Sequence, residues 1–142
     1  MQGVIADADF LGHFERLLAV VQSEEWLPYW DSLRLQVFDF AALGLKHDTR
    51  DRIVWNRCQE RDLVLITGNR NDDGPDSLES TIREAISLSL PVFTVGDAQR
   101  VLEDASYARA VAVDLLDYLF TLRERPERLL GIGRIYLPKN AV

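Results

Sequence analysis

The chain is poor in the residues that make soft-ligand sites: one cysteine and two histidines in 142 residues. Cys58 alone cannot close an internal disulfide, which fits a reducing cytosol. His13 and His47 stand far apart and there is no Cys-x-x-Cys, so nothing supports a thiolate or imidazole zinc cage. No apolar run approaches the roughly 20 residues that a membrane helix needs. The opening MQGVIADAD lacks the basic region and apolar stretch of an export signal. The expectation is a cytoplasmic protein with no membrane partner. Positive charge is also scarce, with 16 Lys and Arg against 23 Asp and Glu and a net charge of −7. That excludes a nucleic-acid-coating protein with a broad basic face. It leaves room for a metal-dependent nuclease, whose site must be acidic and which meets phosphate through cations.

What is present is ordinary for a globular chain: 47% hydrophobic and 27% charged residues. The length suits one domain spanning residues 1–142, burying roughly two-thirds of its unfolded surface. VIAD (4–7) reads as a short buried strand. Phe10, Leu11, Phe14, Leu17, Leu18 and Val21 then recur at helical spacing. LRLQVFDF (33–40) alternates as a second strand, and a helix is expected over about 49–60, capped by Asp48, with Ile53, Val54 and Cys58 inward. LVLIT (63–67) carries no charge and reads as a central strand. Asp76 and Glu79 form a capping-box pattern before a helix with Leu78, Ile82, Ala85 and Ile86 inward. PVFTV (91–95) is the fourth strand. Asp97 caps a helical stretch to about Leu122 that breaks near Asp104–Ser106, and RIYL (134–137) is a final edge strand before Pro138. Strands alternating with helices give a three-layer α/β/α sandwich on a mostly parallel sheet of four to five strands.

In such sheets ligands gather at the carboxyl ends of the strands. Asp7 and Asp9 fall at the end of the first strand, Asn69, Asn71, Asp72 and Asp73 past the third, and Asp97 past the fourth. Asp51, in the first turn of its helix, reaches the same edge. Crowded carboxylates repel unless a cation neutralises them. Oxygen donors without His or Cys suit Mg²⁺ or Mn²⁺. Turn chemistry competes with this reading throughout. Asp48, Asp76 and Asp97 also stand where helix caps belong, Asp9 can cap the helix opening at Phe10, and 69–74 can form Asx-turns. Asp7 has no such local duty.

The segments VIADADFLGHFERLL and DTRDRIVWNRCQERDLVLITGNRNDDGPDSLE together resemble the PIN-like nucleases, in particular the small prokaryotic branch that includes the DUF5615 and Mut7-C domains. The resemblance covers about residues 4–95. It implies a PIN-like fold and Mg²⁺- or Mn²⁺-dependent hydrolysis of single-stranded or structured RNA. Asp7 matches the acid that ends the first strand, and Asp9 stands where the small branch often has Asn. Asp51 is the choice for the acid of the central helix, with Asp48 the alternative register. Thr67 matches the Thr that ends a later strand. Asn69 and Asn71 stand where that pattern carries acids, so Asp72 or Asp73 would have to complete the metal shell. The resemblance thus implies Asp7, Asp51, Asp72 and Asp73 as catalytic, with Asp9 and Asp48 as further metal ligands. Thr67, Asn69, Arg70 and Asn71 would face the substrate, Arg70 by contacting a phosphate.

Trp26, Tyr29 and Trp30, clustered around Pro28, suit a homodimer or other protein interface, a base-stacking platform, or a loop folded over the core. Trp55 either walls the site or packs under that loop. Arg50, Arg52 and Arg57 form a charged helix face. His13 and His47 show no partner. A non-catalytic PIN-like module binding RNA or protein is the second reading. A response-regulator receiver fits poorly, because Thr67 ends the third strand in place of a phosphoacceptor Asp, and no Lys is read after the fifth.

Overall fold

The computed structural model describes residues 1–68, 77–84 and 88–139, with Glu79 and Glu84 described through the backbone only. Its strands are β1 (Gly3–Ala6), β2 (Gln36–Phe38), β3 (Leu63–Thr67), β4 (Val92–Val95) and β5 (Arg134–Leu137). They form one all-parallel sheet in the order β2-β1-β3-β4-β5. The helices are α1 (Leu11–Val21), α2 (Leu27–Leu33), α3 (Asp51–Glu60), α4 (Leu78–Glu84), α5 (Ala98–Glu103) and α6 (Ala105–Glu124).

Side chains alternate across a strand, so each central strand feeds two cores. Val4, Val64, Ile66, Phe93 and Val95 point to one face and pack with Phe14, Leu17, Val111 and Leu119 of α1 and α6. Ile5, Leu63, Leu65 and Val92 point to the other and meet Val54, Cys58 and Leu78 of α3 and α4. With both faces covered, β3 is buried along its whole length and sits in the middle of the sheet, as its charge-free sequence indicates. Gly3 is required where β1 meets β2: a Cβ there would lie 2.1 Å from the Gln36 carbonyl oxygen and 2.9 Å from the Phe38 ring.

Several expectations need correction. Leu33 ends α2 instead of opening a strand. Trp30 and Leu33 are buried one helical turn apart, and Arg34 stops the helix in the left-handed region at φ 52°. Only three residues remain for β2, at the sheet edge. The aromatic segment is therefore a helix with Pro28 in its first turn, not a loop. Trp30 is core and cannot belong to a surface, whereas Tyr29 is exposed. Trp26 lies beneath the Arg109 guanidinium, which pairs with Glu25 at 2.9 Å. Trp55 packs on the Leu43, Leu45 and Val54 cluster, away from α2 and outside the acidic pocket described below. Leu11 and Ile53 face outward, 51% and 48% exposed.

Other expectations hold. Asp97 caps α5 by accepting the Arg100 N–H at 3.2 Å. The long helical stretch breaks at Asp104, which caps α6 through the Ser106 and Tyr107 N–H groups. β5 is an edge strand. At α4 the capping bond described comes from Ser77, which was not expected in that role and whose hydroxyl accepts the Ser80 N–H at 3.2 Å. Asp76, Ala85 and Ile86 lie outside the described residues. Among the described residues, no helix is long and apolar enough to cross a membrane.

Candidate functional site

The strand order creates the site. From β1 the chain crosses to β2 on one side, while β3 lies on the other, so a crevice opens at the carboxyl ends of β1 and β3. Asp7 follows β1 there, and Thr67 and Gly68 end β3. The Asp7 N–H donates to the Ile66 carbonyl at 2.9 Å, extending the ladder by one residue and fixing where its side chain emerges. Its Oδ1 accepts the Ala8 N–H at 2.8 Å and its Oδ2 accepts the Thr67 hydroxyl at 2.8 Å. Asp7 thereby caps the 3₁₀ turn Ala8–Phe10. That duty had been expected of Asp9. Asp9 instead extends a largely exposed side chain to His47, Oδ1 to Nε2 at 2.9 Å.

Burial is the main cause that raises the Asp7 pKa above the ordinary carboxylate range. The hydrogen bonds from Thr67 and Ala8 oppose the shift, and the charges of Asp51 and Asp9 add to it. Below the site, Cys58 is pushed up to about 12, chiefly by burial and further by Asp7. It is a buried thiol, not a nucleophile.

Asp51 comes from the first turn of α3, where a carboxylate is favoured by the helix dipole. Its Oδ2 accepts the Leu78 N–H at 2.9 Å and so ties the start of α4 to the start of α3. Asp48 does not cap α3: the N-cap is Arg50, without a side-chain cap bond, and Asp48 is exposed. The turn before α3 is closed by Thr49, whose Oγ1 accepts the Lys46 N–H at 2.8 Å and whose N–H donates to the Lys46 carbonyl at 3.0 Å.

Asp7, Asp9, Asp51, Thr67, Gly68 and His47 line one pocket of about 340 Å³. Phe10 and Ala98 close its apolar side, and they crowd Gly68, whose added Cβ would sit 3.2 Å from that of Ala98. No protein-family model, curated protein or solved structure matches the chain.

Of the residues expected at the site, Asp7, Asp9, Asp51 and Thr67 are brought together, and Asp48 is not among the lining residues. Asn69, Arg70, Asn71, Asp72 and Asp73 lie outside the described residues. Asp97 lies beyond the lining and serves as a cap. Among the described residues, no group of three or more His, Cys, Asp or Glu side chains is placed to hold a metal ion. The donor chemistry still fits a hydrated Mg²⁺ or Mn²⁺, which needs one or two carboxylates and keeps several waters.

His47 was the residue missed, having been judged to lack a partner. It sits in the connection from β2 to α3, and every such connection in a parallel sheet ends at the carboxyl edge; that rule was the available signal. Arg57 belongs to the fold, donating to the Leu43 carbonyl oxygen and lying 3.7 Å from Glu60. A lysine does follow β5, contrary to expectation: Lys139 pairs with Asp117 of α6.

Proposed function

We propose that the chain is a Mg²⁺- or Mn²⁺-dependent ribonuclease of PIN-like type, hydrolysing phosphodiester bonds at the pocket between β1 and β3. The observation that carries this reading is Asp7: a largely buried carboxylate, oriented by Thr67 and flanked by the carboxylates of Asp51 and Asp9. A buried carboxylate beside two others in a cleft is the arrangement that marks a candidate functional site, and a cation is the group that relieves it. Asp7 and Asp51 are the residues that would hold the ion, Asp7 at a position fixed by Thr67 and Ala8 and Asp51 from the first turn of α3. A divalent ion so held supplies charge neutralisation at the phosphate and lowers the pKa of an attacking water. Thr67 fixes the orientation of the Asp7 carboxylate, and Phe10 and Ala98 exclude water from one side of the pocket. Asp72 or Asp73, from the stretch after β3, would complete the acidic set.

The purified protein is expected to cleave single-stranded RNA in Mn²⁺ or Mg²⁺, and to lose that cleavage with chelator and in Asp7→Asn. Removing one anchoring carboxylate leaves too little negative charge to hold the ion beside phosphate. Asn69 and Asn71, standing where the PIN-like pattern carries acids, favour a second reading, a non-catalytic module that binds RNA or protein. Mn²⁺ binding without cleavage across a range of RNAs would select that module. Calorimetry showing no Mn²⁺ binding, with Asp7→Asn indistinguishable from wild type, would remove the metal site altogether.

A further inference from the structure

A second concavity of about 300 Å³ adjoins the acidic one at the same edge of the sheet. Leu11, Phe38, Phe40 and Ala41 give it an apolar lining, and Asp7 and His47 are walls common to both pockets. Its Leu11 is the residue that breaks the inward stripe of α1: at 51% exposure it leaves the core and borders this pocket instead. Phe40 is likewise only partly buried, with the chain turning after it into the 3₁₀ segment Ala41–Leu43.

We propose that this apolar pocket is a base subsite, seating one nucleobase of a single-stranded nucleic acid while the adjoining phosphate lies in the acidic pocket. The inference rests on the reading that the acidic pocket takes a phosphodiester. The argument is one of joined chemistries. A ligand that spans two pockets with two common walls must carry a charged group and an apolar group a short covalent distance apart. A nucleotide unit does so, with a flat aromatic base on one side of its sugar and the phosphate on the other. The lining matches the flat group, since bases stack on aromatic side chains without regard to sequence. The net charge of −7 agrees with the division of labour. With no excess of basic residues, affinity for the polymer must come from bridged phosphate and from stacking, in place of the many Lys and Arg contacts of a basic groove.

The test is binding of a fluorescently labelled single-stranded RNA of mixed sequence, beside an abasic ribose-phosphate oligomer of equal length. Anisotropy is read in Ca²⁺, and cleavage of both is read in Mn²⁺. The intact RNA should bind roughly tenfold or more tightly than the abasic oligomer, the scale of one lost stack. Phe40→Ala should remove most of that preference. Should Phe40→Ala fail to fold, Ala41→Ile, at an exposed position on the rim, narrows the pocket without supplying a ring to stack on and should reduce the same preference. Equal binding of the two oligomers by wild type, no binding of either, or an unchanged preference in folded Ala41→Ile would overturn the subsite. Base-dependent binding without cleavage would keep the subsite and remove the nuclease. Cleavage with the same KM for both oligomers would keep the nuclease and remove the subsite.

Discussion

The two faces of the sheet are built differently. On the α1, α5 and α6 side the apolar core is the larger one, with Phe14, Leu17, Phe93, Val111 and Leu119 at 2% exposure or less. Its polar ties, such as Arg123 to the Met1 and Leu33 carbonyls, lie at the rim away from the pocket. On the α3 and α4 side the apolar cluster is smaller and long-range polar ties supplement it. Asp51 holds the Leu78 N–H, Gln59 bonds both the N–H and the carbonyl of Leu90, and Arg57 bonds the Leu43 carbonyl. The pocket takes one wall from each face: Phe10 and Ala98 from the first, Thr49 and Asp51 from the second. One wall is therefore fixed by close packing, where any lost atom leaves a void. The other is fixed by hydrogen bonds that water can replace at a modest net cost.

That contrast can be broken most forcefully in the cores. Phe14→Ala should cost about 3–5 kcal/mol of unfolding free energy in urea melts. Val54→Ala on the opposite face removes fewer atoms from a smaller cluster and should cost about 1–2 kcal/mol. Equal losses, from far fewer atoms removed, would mean that the α3 and α4 face is the more tightly packed per atom. A middling effect belongs to the charge between the walls. The raised pKa of Asp7 means that the folded state prefers its protonated form. Its contribution to stability is therefore full below the ordinary carboxylate range and is lost as pH rises through the raised folded value. Without divalent ions, Asp7→Asn should gain on wild type as pH is taken from 4 towards 7. Asn keeps an acceptor for the Ala8 N–H and can donate to the Thr67 hydroxyl oxygen, so any change in these bonds shifts the difference by a constant and the pH slope is the readout. A flat difference would show that Asp7 is not held at electrostatic cost.

The smallest effect sharpens the comparison at the polar wall. Asp51→Ala should cost about 1 kcal/mol, the scale of a lost helix cap, and should speed amide exchange at Leu78. Asp51→Asn retains an acceptor oxygen and should be milder, separating the structural duty of Asp51 from its charge. Asp48→Ala should stay within about 0.5 kcal/mol, as expected of an exposed residue that caps nothing.

The packed face was the more legible one in the sequence. Phe14, Leu17 and Val21 declare it by spacing, β3 by its lack of charge, and Asp97 by standing at the helix start it caps, with the break near Asp104 also visible. The polar face was read less well because its ties join distant parts of the chain. Asp51 caps a helix that begins 27 residues later, and no spacing rule reports that. Asp48, in the favoured position for a local cap, was preferred for that role and does not fill it. α2 was hidden by Pro28 and its aromatic neighbours, which read as a loop until the burial of Trp30 and Leu33 shows the helical face. At the site, the convergence of Asp7, Asp9 and Asp51 followed from the parallel-sheet rule, whereas the pairing of Asp9 with His47 needed three dimensions. Leu11 and Ile53 followed the helical period but fell outside the stripe that packing selects.

The bond from Thr67 to Asp7 joins residues 60 positions apart. The carboxylate can be oriented only after β1 and β3 have paired, and that parallel pairing requires a long loop to close first. Long-range pairing of this kind is slow compared with helix formation. During synthesis, a chain that has not yet emerged past β3 holds Asp7 without its hydroxyl partner and without the crevice. The site is therefore assembled only with the centre of the sheet, and helices formed early confer none of it. Refolding followed by helical signal and refolding followed by any ligand of the pocket should report different clocks.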